Sequence, residues 1–148
     1  MKWNLRWVIL FVILSALLLS ACGAELPVAG EEEKPVQLEP IAGTDLNRII
    51  LTEKAAERLG VETAPVLTQQ VDGVDRLVVP YAALLYEPSG KAWVYVNVEP
   101  LVFVREAITV ADINGDQVIL SEGPEAGASV VTTGATELYG SESEFEEE

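Results

Sequence analysis

The chain has 148 residues, with 9 Lys and Arg against 24 Asp and Glu, no histidine and one cysteine. A net charge of −15 argues against a nucleic-acid partner, because phosphate binding draws on clustered Lys and Arg. Without histidine or a spare cysteine, neither a Ser-His or Cys-His nucleophile nor a soft-metal site can be built, so we expect no enzymatic activity, no metal and no cofactor.

Lys2 and Arg6 precede thirteen residues, Trp7 to Leu19, of which only Ser15 is polar. That is the basic and then apolar order of an export signal, and it falls short of the roughly 20 apolar residues of a membrane span. Leu19-Ser20-Ala21 then stands before Cys22, the residue order of a bacterial lipoprotein signal at its cleavage site. Small side chains at Ser20 and Ala21 leave the backbone open to a peptidase, and the Cys22 thiol is the nucleophile that takes a diacylglycerol. We therefore expect residues 1–21 to be a signal peptide and Cys22 to be the lipidated first residue of the mature chain. A plain cleaved signal with a free thiol, or an uncleaved anchor, is the alternative. Acyl chains contribute about 0.8 kcal/mol per buried CH₂, so two or three hold a protein on a bilayer durably. The mature chain would carry seven basic and 24 acidic residues, and its field would repel anionic headgroups, leaving membrane binding to the anchor.

Residues 22–43 read as an acidic tether, with five Glu against Lys34, and with Pro27, Pro35 and Pro40 stiffening it. Residues 44–140 are enough for one β-rich domain. Its first signal is a short helix, with Thr52 as N-cap, Ala55, Ala56 and Leu59 as an inward stripe and Gly60 at its end. Asp72-Gly73 is a candidate turn. From Leu77 the period becomes alternating, and turn residues recur at short intervals, as in a small antiparallel β-barrel or sandwich.

Within that run Val94, Val96 and Val98 share one face as core, and Trp93, Tyr95 and Asn97 share the other, an aromatic face. In the strand from Leu101 to Val110, Glu106 breaks the apolar phase, and a bulge near Arg105 and Glu106 would turn its carboxylate outward. Asn114-Gly115 signals a hairpin between Ile108–Ile113 and Gln117–Leu120. Asp112, Asn114 and Asp116 alternate like the start of a calcium loop, but Gln117 and Gly123 stand where such a loop needs Gly and a bidentate Glu, so the hairpin accounts for them. Leu138 and Tyr139 are placed to plug the open end of a small barrel. Residues 141–148, with five Glu, read as a solvated, disordered acidic tail.

Val79-Pro80-Tyr81-Ala82-Ala83-Leu84-Leu85-Tyr86, Gly90-Lys91-Ala92-Trp93-Val94-Tyr95-Val96, Phe103-Val104-Arg105, Gly115-Asp116, Ser121-Glu122-Gly123 and Val130 to Ala135 follow one another over residues 77–140. In that order they resemble the C-terminal part of periplasmic adaptor subunits, or membrane fusion proteins, of RND-type efflux pumps. Ile50-Leu51-Thr52 through Leu59-Gly60-Val61 resembles the N-terminal end of the same family. The lipoyl, hairpin and barrel segments that separate these ends in the family are missing here, and only Gln69 to Arg76 links them. The resemblance implies a fold reduced to the membrane-proximal domain, which is assembled from both ends of the family's chain. It also implies transmembrane transport by protein contact beside an RND-type inner-membrane transporter, at the outer face of the cytoplasmic membrane. Trp93 and Tyr95, on an exposed aromatic face, become the candidate contact residues, with core packing the commoner role for either residue alone, and a homo-oligomer is compatible. A free-standing lipoprotein that binds or senses a ligand is the competing reading.

Overall fold

A computed structural model describes residues 34–146. Its elements are β1 (Val36–Pro40), β2 (Asn47–Leu51), α1 (Glu53–Leu59), β3 (Glu62–Pro65), β4 (Leu67–Val71), β5 (Val74–Pro80), a 3-10 turn (Tyr81–Ala83), β6 (Leu85–Tyr86), β7 (Ala92–Glu99), β8 (Val102–Asn114), β9 (Gln117–Glu122), β10 (Ser129–Thr133) and α2 (Ala135–Glu146). The fold is mainly β and every strand pairing is antiparallel. Among the described residues no helix is long and apolar enough to cross a membrane.

Local chemistry sets the turns. The Thr52 hydroxyl accepts from the Ala55 N–H at 3.2 Å, and Gly60, at φ 63, ends α1 by donating to the carbonyls of Ala56 and Glu57. Asp72 and Gly73 both have positive φ, 51 and 78, and Val71 pairs with Val74, so β4 and β5 form a two-residue hairpin. Gly115, at φ 59, turns β8 into β9 over the pair Asn114 and Gln117.

The main sheet runs β3-β10-β7-β8-β9-β5-β4, with β2 on β8, β1 on β2 and β6 on β7. It curls into a half-barrel and does not close as the expected barrel. The reason lies in the chain path: β3 and β4 end the sheet on either side of one residue, Val66, so consecutive chain joins them instead of a ladder. Val66 is buried, its N–H donates to Ala128 and its carbonyl accepts from Gly127, both at 2.8 Å.

Two apolar clusters form, with β7 between them. One gathers Val66, Val79, Val94, Val96, Ile108, Val118, Leu120 and Val130. The other gathers Ile49, Leu51, Ala55, Tyr95, Phe103, Val131 and Leu138, bringing the helices and β2 onto the opposite face. The aromatic face of β7 is therefore a second core around Tyr95, the core-packing alternative, because residues distant in sequence cover it. Val98, expected to be core, is instead 48% exposed.

The ladder between β7 and β8 runs without a shift through Tyr95–Arg105 and Val94–Glu106. The expected bulge at Arg105 and Glu106 is absent; the register shifts between Thr109 and Asp112, where β8 passes from β7 to β9. Glu106 is exposed without it.

Both domain boundaries move outward. The tether expected over 22–43 gives way to β1 at Val36, because Val36 and Leu38 supply an apolar edge to the second cluster. The tail expected over 141–148 is helical through Glu146, and Glu142 is buried because Tyr95 and Arg105 meet its carboxylate.

Candidate functional site

The chemically distinctive place in the described residues lies under α2, on the side of β7 and β8 that carries Tyr95 and Phe103. β8 contributes Arg105, directly opposite Tyr95 on β7, and Trp93 stands two residues before Tyr95. The segment after β6 supplies Glu87. One face of α2 supplies Tyr139 and Glu142, three positions apart and so neighbours on the helix surface.

Arg105 is only 8% exposed, and its guanidinium is held from four directions. Its Nη1 donates to Glu87 Oε1 at 2.6 Å, and its Nε lies 3.4 Å from Glu142 Oε2. The rings of Trp93 and Tyr139 lie over its central carbon at 4.8 and 5.5 Å. A desolvated guanidinium against aromatic faces gains about 2 kcal/mol or more, and its planar fork suits two carboxylates where an ammonium would not. Tyr95, fully buried, donates its hydroxyl to Glu142 Oε2 at 2.6 Å. Burial, then that hydrogen bond and the charge of Glu142, push the Tyr95 phenol far above its ordinary range; Arg105 pulls the other way and Tyr139 adds a smaller upward push. The phenol therefore stays a neutral donor.

Leu85, Tyr86, Glu87, Trp93, Arg105 and Tyr139 line a cavity of about 20 Å³ above the guanidinium, room for one water. Trp93 Nε1, Arg105 Nε and Glu142 Oε1 are buried without a hydrogen-bond partner. Nothing in this cluster is an activated nucleophile. What the arrangement does is clamp α2 to the sheet through one cation, two carboxylates and three aromatic rings.

Of the residues expected to act, Cys22 and Leu19, Ser20 and Ala21 lie outside the described residues. Tyr95 is fully buried, and its hydroxyl is spent on Glu142. Trp93 is half-buried against Arg105, and the neighbouring exposed aromatic is Tyr86, at 57%. Arg105 and Glu142 were missed as a pair. Their signal was legible, since Ala135, Leu138 and Glu142 fall on one helical stripe and Arg105 shares the inward phase of Phe103.

Residues 75–137, from β5 to the start of α2, match the family model described as RND MFPs, C-terminal permuted SH3 domain. That part of the chain is similar to the C-terminal domain of RND membrane fusion proteins. The matched residues include Glu87, Trp93, Tyr95 and Arg105, while Tyr139 and Glu142 stand just beyond them. An NMR structure covering 180 residues of SilB from Cupriavidus metallidurans CH34, with its N-terminal metal-binding site and membrane proximal domain, is 24% identical with a TM-score of 0.45. The alignment covers 68% of this chain and 65% of that one, so this chain spans less than two thirds of it. No curated protein matches the chain.

Proposed function

We propose that this protein is a lipid-anchored, adaptor-like module of the cell envelope that works beside an RND-type transporter by surface contact. The observation that carries the reading is the match over residues 75–137, in a body that also takes in β1, β2 and α1 from the other side of the β4–β5 hairpin. Two chain segments thus complete one domain with only a short link between them, as the membrane-proximal part of an adaptor requires.

Residues 1–21 are the export signal in this reading, and Cys22 carries the acyl anchor at the outer face of the cytoplasmic membrane. The contact surface is the rim where Tyr86 is exposed beside the half-buried Trp93. Contact, not bond-making, fits a site that holds no activated nucleophile. The test is genetic and biochemical together. Deletion should impair export of a transported compound, the protein should copurify with a transporter of this class, and labelled fatty acid should appear on wild type but not on Cys22→Ala. Unimpaired export, with no transporter recovered from membranes, would overturn the transport reading. Absence of label would overturn the anchor.

A further inference from the structure

Among the described residues the sheet leaves free edges at β1, β3, β4 and β6. An exposed edge is a template for another strand, and proteins blunt such edges with charge, proline or brevity. β1 carries Glu39 and Pro40, β3 carries Glu62 and Pro65, and β6 is two residues long. β4 has none of these devices. It reads Leu-Thr-Gln-Gln-Val, without charge in a chain of net charge −15, and Leu67 to Gln70 are all exposed.

The hairpin register says which backbone groups are free. A two-residue turn that closes on Val71 and Val74 turns the ladder bonds of Val71, Gln69 and Leu67 toward β5, and those of the alternate residues outward. Val66 obeys this parity, since its outward N–H and C=O are taken by Ala128 and Gly127. Thr68 and Gln70 face the same way, and neither has a backbone partner on that side among the described residues.

We propose that two copies of this chain pair through β4, antiparallel about a two-fold axis at Gln69. The strand reads apolar, three polar, apolar in either direction, so this pairing matches like with like. Thr68 meets Gln70 of the second copy and exchanges both backbone bonds with it, Gln69 meets its own mate, and Leu67 meets Val71. Val71 is itself opposite Val74 in the hairpin, so the pairing draws Leu67 and Val74, now 54% and 50% exposed, into one apolar row. The neutrality of the strip is what lets two strongly acidic copies approach there, since like charges placed directly opposite would repel. The interface is self-complementary, as a closed two-fold contact must be. The inference does not depend on a transporter partner.

Cysteine crosslinking of the full chain in cells tests both contact and register. At the axis the two copies of residue 69 form a non-hydrogen-bonded pair, about 4.5 Å apart between Cα atoms, within disulfide reach. Gln69→Cys should therefore give a covalent dimer under mild oxidation, above the background of the wild type with its Cys22. Thr68→Cys and Gln70→Cys, each about two positions from its own mate and beyond roughly 7 Å, should not. A second variant works without crosslinking: Gln69→Glu sets two carboxylates face to face and should shift the purified chain from dimer to monomer in sedimentation. A dimer unaffected by Gln69→Glu, a stronger crosslink from Gln70→Cys than from Gln69→Cys, or a crosslink only to a different protein would each overturn the proposal.

Discussion

Tyr95 donates to Glu142 at 2.6 Å across 47 positions of sequence, tying the middle of the sheet to the last helix. Both side chains are buried and Arg105 touches the same carboxylate oxygen at 3.4 Å, so neither partner can be lost without stranding another. Glu142→Ala should cost about 3 kcal/mol, because it leaves Arg105 with Glu87 alone and Tyr95 with no acceptor. Tyr95→Phe should cost about 1–2 kcal/mol. Urea unfolding of both single variants and the double variant checks this: the losses should be strongly non-additive, with the double variant well short of the sum.

Arg105→Lys keeps the charge and should still destabilise, by about 2 kcal/mol, since a point charge cannot lie flat between Trp93 and Tyr139 while reaching both Glu87 and Glu142. Trp93 fluorescence should change with it, reporting the lost guanidinium above the indole. An Arg105→Lys variant as stable as the wild type would show that the stack adds nothing.

Alkali should loosen the protein through Tyr95. The folded state holds the phenolic proton well above the ordinary value of 10.0, whereas the unfolded chain releases it near that pH. The contribution of Tyr95 is thus complete below about pH 10 and falls above it by up to about 1.4 kcal/mol per pH unit, because there only the unfolded state has lost the proton. In Tm measured against pH, Tyr95→Phe should start lower at pH 7 and decline less steeply above pH 10.

Glu106 shifts the balance the other way at neutral pH. Partial burial, then the charge of Glu125, raises its carboxyl above the ordinary 4.5, so the folded state holds the proton more tightly than the unfolded one. Stability from this group is present at low pH and is lost as pH rises from about 4.5 through the raised value. Glu106→Gln should therefore stabilise at pH 7 and have little effect at pH 4. Solvent screens a largely exposed group, so the gain should stay within about 0.5 kcal/mol. Tm at the two pH values separates the outcomes.

Short-range chemistry was the legible part of this chain. Thr52 and Gly60 bound the first helix, and Asp72-Gly73 and Asn114-Gly115 bend the hairpins, because each acts through backbone groups a few residues away. The second core was not legible from β7, since an alternating strand looks the same whether its aromatic face meets water or meets Ile49, Phe103 and Leu138. The end of the chain misled for an electrostatic reason. Five Glu in eight residues read as a solvated run, yet Glu142 sits one turn after Leu138 and finds its counter-charge 37 positions earlier, in Arg105. β1 was hidden by its flanking prolines, which sit at the ends of the strand and leave Val36 and Leu38 free to pack.

The proposed mode of action is an adaptor-like body touching a transporter at the membrane. A photoreactive side chain in place of Tyr86, 57% exposed at the proposed contact rim, tests that directly in cells that make the full chain. Irradiation should yield an adduct containing an RND-type inner-membrane transporter. Adducts without any such transporter, at a level of protein that supports normal envelope localisation, would contradict it.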